Sequence, residues 1–128
     1  MSEPAWLPRD LVLALHDRLI AEFGGAPGTR DLGLLDSALA RPRNRFAYES
    51  PSVFTLAATY ADGLLRNHPF VDGNKRVALV AAVVFLEQNG FRFLAAESDA
   101  ARQTWSLAAA EIDELAYASW LETNSEPA

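Results

Sequence analysis

Residues 77–86 form an unbroken apolar run, and it follows directly on the charged turn Asp72-Gly73-Asn74-Lys75-Arg76. A stretch with no polar face cannot lie on a surface, so it predicts a helix buried at the domain centre. Glu87-Gln88-Asn89-Gly90 closes the run, with Gly90 as the C-terminal stop. A buried helix needs others around it, and the rest of the chain supplies them. Leu7, Leu11, Leu15, Leu19 and Phe23 mark an apolar stripe on a first helix that stops at Gly24-Gly25. Asp31 is placed to cap a second helix running through Ala40 and ended by Pro42, and a third helix covers about residues 52–66. Residues 43–49 have neither helical period nor caps. After Gly90, residues 91–94 read as a short extended piece. Two last helices, about 98–109 and 113–121, complete the chain, and residues 124–128 read as a frayed tail. With 128 residues, half of them apolar, the expectation is one all-α domain over residues 1–128.

The segment ahead of the central helix, His68-Pro69-Phe70-Val71-Asp72-Gly73-Asn74-Lys75-Arg76, concentrates the chemistry. The helix would open at Gly73-Asn74, where unpaired N–H groups and the positive end of the dipole favour an anion. Lys75 and Arg76 are cations at that end, which costs about 0.3–1 kcal/mol each unless an anion binds there. His68, just upstream, is suited to take a proton from an attacking hydroxyl. Asp72 is suited to hold Mg²⁺, to cap the helix, or to do both. Phe70 reads as a core anchor that fixes the loop, and His16, inside the first helix, as structural. Trp6, Trp105, Trp120 and Tyr117 read as core, with a groove for a partner peptide as the alternative.

Several chemistries are excluded. No Gly-Lys-Ser/Thr loop, no Gly-x-Gly-x-x-Gly after a strand and no Gly-x-Ser-x-Gly elbow is present. The absence of cysteine removes thiolate sites and disulfides, and two histidines are too few for a multi-histidine metal centre. A net charge of −6 argues against direct nucleic acid binding, which needs phosphate-neutralising cations. No apolar run approaches membrane-spanning length, and Met1-Ser2-Glu3-Pro4 lacks a basic region followed by an apolar core. A cytoplasmic protein without a membrane association is expected.

The motif from His68 to Arg76 resembles the signature of the Fic/Doc superfamily, His-x-Phe-x-Asp/Glu-Gly/Ala-Asn, followed by Gly-Arg in the Fic branch or Lys-Arg in the Doc branch. Lys75-Arg76 matches the Doc branch. Phe23-Gly24-Gly25, Gly28-Thr29-Arg30-Asp31, residues 35–42 and Phe46-Ala47-Tyr48-Glu49 resemble Doc toxins in the same order and at about the same spacing. The resemblance implies a compact helical fold with a buried central helix and a short flap hairpin. The flap would be Arg45, Phe46, Ala47, Tyr48 and Glu49, aligning a target by strand addition.

The resemblance further implies the chemistry of a toxin from a toxin–antitoxin module. A Doc-like kinase would move the γ-phosphate of ATP to a threonine of elongation factor Tu and so arrest translation. In this assignment His68 is the base, Asp72 the Mg²⁺ ligand, and Gly73, Asn74, Lys75 and Arg76 hold phosphate. The AMP-transferring branch carries Asn-Gly-Arg-x-x-Arg, where this chain has Lys75 and Leu79. An arginine–phosphate bond is worth about 1.5–3 kcal/mol, so that branch's grip on the nucleotide is weakened here. Gly73, typical of the AMP-transferring branch, keeps AMP transfer as the alternative. A different class of reading is a non-catalytic co-repressor that grips a DNA-binding antitoxin. Self-inhibited Fic proteins carry a helix whose glutamate precedes Gly or Asn, a pattern absent here. The resemblance therefore implies restraint in trans by a Phd-like antitoxin, docking near the C-terminal helices.

Overall fold

The computed structural model describes residues 2–128, and these form six helices and one two-stranded sheet. In order they are α1 (Arg9–Phe23), α2 (Leu32–Glu49), α3 (Val53–Asn67), α4 (Asn74–Gln88), β1 (Phe91–Phe93), α5 (Glu97–Ala108), α6 (Glu114–Thr123) and β2 (Ser125–Pro127). The all-α expectation holds. Among the described residues no helix is long and apolar enough to cross a membrane.

The centre is shared by α3 and α4, which pack against each other. α3 also touches α2, α5 and α6 and is the more enclosed, because Ala57, Ala58, Ala61 and Gly63 allow close approach from several sides. A Cβ on Gly63 would stand 3.3 Å from the Ala38 carbonyl of α2. Along α4, Val77, Ala78, Ala81, Ala82, Phe85 and Leu86 are buried. Its other side, Leu79, Val80, Val83 and Val84, is half-buried and faces a cleft, so the apolar run serves both a core and a cavity wall.

Three expectations need correction. The stripe on α1 is shifted: Val12 and His16 are its buried residues, while Phe23 is exposed. Pro42 does not end α2, which runs on to Glu49. Proline inside a helix removes one hydrogen bond at a cost of about 3 kcal/mol, and burial of Leu35, Ala38, Leu39 and Pro42 itself offsets that cost. Ion pairs from Arg41 and Arg45 to Glu114 tie this stretch of α2 to α6. Finally, the tail is ordered. Residues 125–127 pair antiparallel with β1, and Phe93 meets Trp120 edge to face at 5.4 Å.

The cap foreseen at Asp31 is present, and Ser52 and Asp113, at the expected starts of two other helices, cap in the same way. Asp31 accepts a hydrogen bond from the Leu34 amide, Ser52 from Thr55, and Asp113 from Ala116. Ahead of α1, Trp6 stacks on Phe85 at 6.0 Å and Leu7 is buried, which fastens α1 against α4.

Candidate active site

α3 ends at His68, which adopts a left-handed conformation (φ 50°) and so turns the chain sharply toward α4. Gly73 is also left-handed (φ 79°) and forms the N-cap of α4. Between them the loop is anchored by its apolar residue. Phe70 is fully buried, and its backbone N–H and C=O are both bound by the side chain of Asn74, at 3.1 and 2.9 Å. The Asn74 side chain, expected to contact phosphate, thus holds the Phe70 backbone with both ends of its amide, and its NH₂ group keeps a second hydrogen toward the cleft that it lines.

Two elements outside the motif hold it in place. His16 of α1 stacks on the Phe70 ring at 3.8 Å, nearly parallel, and its Nε2 lies 2.8 Å from the Asp72 carbonyl oxygen. A carbonyl only accepts, so Nε2 must carry the proton. The segment between α1 and α2 runs alongside the loop: Arg30 and Asp31 donate their amides to the Pro69 carbonyl, and Val71 donates to Gly28. The Arg30 side chain donates to the carbonyls of Asn67 and His68. Sequence reasoning assigned neither His16 nor Arg30 to the site. The Gly28-Thr29-Arg30-Asp31 segment was visible as a resemblance, but nothing in its residue types shows that it pairs with the motif.

Asp72 accepts from the backbone amides of Ala26 and Gly73, at 3.1 and 2.8 Å. These bonds, chiefly the one from Ala26, hold its carboxyl below the usual carboxylate range, with Arg76 and His16 adding to the effect. A Cβ on Gly25 would stand 2.7 Å from Asp72 Oδ2, so only glycine leaves room for this carboxylate. Asp72 does not cap α4, which has no side-chain cap.

The first helical bond of α4 runs from Val77 N–H to the Gly73 carbonyl, so the amides of Asn74, Lys75 and Arg76 lack intrahelical acceptors. Lys75 Nζ lies 5.1 Å from the centre of the Trp105 ring, and the Arg76 guanidinium 4.4 Å from that of Phe23. His68, Asp72, Gly73, Lys75, Arg76 and Leu79 all line one cleft of about 950 Å³ between α4 and α5. That size suits a small molecule. A basic side chain, an ionised carboxylate and a free helix N-terminus thus open on one space. Among the described residues no cluster of three or more metal-ligating side chains exists. Asp72 fits a Mg²⁺ ion that arrives with nucleotide phosphates, since that ion needs only one or two protein carboxylates.

Residues 45–49, expected as an extended flap, are helical, and none lines the cleft. Arg45 binds Glu49, Glu114 and Thr59. Phe46 packs on Trp6, and Ala47 and Tyr48 point to solvent. The extended chain beside the motif is residues 24–31, where Thr29 forms an antiparallel bridge with Phe70. Trp105, expected in the core, is 62% exposed.

The model of the Fic/DOC family matches residues 6–86, a span that contains the whole motif and the elements bracing it. The chain belongs to the Fic/DOC family. A protein named "Protein kinase doc" from Escherichia phage P1 is 43% identical over 84 residues, which cover 65% of this chain and 66% of the phage protein. A protein named "Toxin Doc" from Mycolicibacterium smegmatis is 48% identical over 84 residues, 62% of each chain. The chain thus matches a little under two thirds of the length of each of these relatives. As a member of the Fic/DOC family, it carries His68, Asp72, Asn74, Lys75 and Arg76 at one helix start.

Proposed function

We propose that this chain is the toxin of a toxin–antitoxin pair and that it transfers the γ-phosphoryl group of ATP to a serine or threonine hydroxyl of a translation factor. By resemblance that factor is elongation factor Tu, which would place the protein in the cytoplasm. The observation carrying this reading is that His68 and the free amides of α4 open on the same cleft. The names of the two relatives support it.

Phosphoryl transfer needs in-line positioning and charge stabilisation more than covalent help. His68 accepts the proton of the target hydroxyl as its oxygen bonds to the γ-phosphorus and the bond to the ADP oxygen breaks. The amides of Asn74, Lys75 and Arg76, with the Lys75 and Arg76 side chains, bind the equatorial oxygens. Asp72 holds Mg²⁺, which when bound neutralises charge on the phosphates. The antiparallel bridge at Phe70 makes residues 24–31 the better candidate for aligning the target than residues 45–49.

A Phd-like antitoxin restrains the toxin in trans, since no glutamate here is followed by Gly or Asn as in self-inhibited relatives. AMP transfer is the second reading, favoured by Gly73 at the N-cap. Incubating candidate targets with Mg-ATP labelled at the α or the γ position, followed by intact-mass analysis, separates the two. Transfer of γ label with a phosphoryl mass increment is expected. Transfer of α label with an adenylyl increment sinks the kinase reading.

A further inference from the structure

We propose that Trp105 is the platform on which the base of the bound nucleotide stacks. This rests on the nucleotide-binding reading above and extends it to the half of the ligand that the motif does not touch. The other two tryptophans are used structurally. Trp6 packs between Phe46 and Phe85 and donates to Glu3, while Trp120 packs on Phe93 and Tyr117 and donates to Asp99. Trp105 is 62% exposed and borders two hollows, the cleft beside α4 and a smaller one that Lys75 also lines. Its neighbours one turn away, Ala101 and Ala108, are too small to cover the ring.

A single exposed apolar residue means little by itself. What gives Trp105 meaning is Lys75, whose ammonium sits over the indole while its backbone amide belongs to the free first turn of α4. The ring is thereby tied to the place where phosphate oxygens would sit. When phosphates arrive, the ammonium exchanges an exposed cation–π contact for a stronger charge-assisted hydrogen bond, and the ring face it leaves is open to a base. Stacking requires a π face and no particular base edge, so the contact distinguishes a nucleotide from bare polyphosphate. Trp105 lies outside residues 6–86, the span that the family model matches.

Calorimetric titration of the full chain with Mg-ATP and with magnesium tripolyphosphate tests this. Trp105→Ala should weaken ATP binding about tenfold while leaving tripolyphosphate within about twofold, and Trp105→Phe, which keeps a π face, should retain most of the ATP affinity. The surface position of the ring makes both variants compatible with folding. Unchanged ATP affinity in Trp105→Ala overturns the proposal and leaves the indole to a peptide partner. Equal losses for both ligands also overturn it, by showing that Trp105 acts only through Lys75. Wild-type protein that binds ATP no better than tripolyphosphate overturns the base contact alone. Wild type that binds neither ligand defeats the nucleotide reading itself.

Discussion

His16 Nε2 donates to the Asp72 carbonyl oxygen at 2.8 Å, while the same imidazole stacks on Phe70. One buried side chain of α1 therefore sets both the floor of the motif loop and the height of the α4 N-terminus. His16→Ala should remain folded yet lose about 10- to 100-fold in kcat/KM, because small displacements of a positioned group carry penalties of that order. His16→Gln, which can still donate, should recover part of the loss. Full activity in folded His16→Ala would show that the loop holds its shape without α1.

His68 stands at the exposed end of α3 and contributes little to the core. His68→Ala should abolish growth arrest, with a rate loss of ~10²–10⁴, and leave thermal stability almost unchanged. Equal arrest by mutant and wild type rules out both His68 as the base and the catalytic reading, in favour of a binding module.

Lys75 and Leu79 line the cleft one turn apart on α4. The Lys75→Gly, Leu79→Arg double variant restores the AMP-transferring pattern at both positions. It should lose more than about tenfold in phosphotransfer, the cost of one charge-assisted phosphate contact, and gain weak AMP transfer. Unchanged phosphotransfer would mean that Lys75 has no part in selecting the γ-phosphate.

Arg45 belongs to an ion-pair network with Glu114 and Thr59, away from the cleft. Arg45→Ala should lower stability by about 1–3 kcal/mol, since it strips a partner from a largely buried carboxylate, without raising KM for the target protein. Tyr48→Ala, at a position 90% exposed, should change neither quantity. A raised target KM with unaltered stability in either variant would restore residues 45–49 as the flap.

Tyr117 is buried against Thr104, and its phenol is pushed up to about 12, mainly by desolvation. A phenol whose folded pKa is raised stabilises the fold below the unfolded value of about 10, and this contribution is lost as pH rises from there toward the folded value. Urea midpoints should fall across that alkaline window, and the fall should be shallower in Tyr117→Phe. An equally steep decline in the variant would assign the alkaline transition to other groups, such as Tyr60, which burial pushes in the same direction.

The sequence alone determined the helical class, the cap at Asp31, the helix starts near Ser52 and Asp113, and the join between the charged turn and α4. These depend on local physics: hydrophobic period, side chains that reach a backbone amide three residues on, and a glycine that accepts a left-handed turn. Only the tertiary structure decided where the side chains of His16, Arg30, Asn74 and Trp105 lie and what they touch. His16 and the Arg30 segment reach the motif across long sequence separations, and no local pattern encodes that meeting. The continuation of α2 through Pro42 has the same origin, because packing on α3 and ion pairs to α6 outweigh a local helix-breaking preference. So does the ordering of the tail, whose residues pair with β1 only after the chain has returned to it.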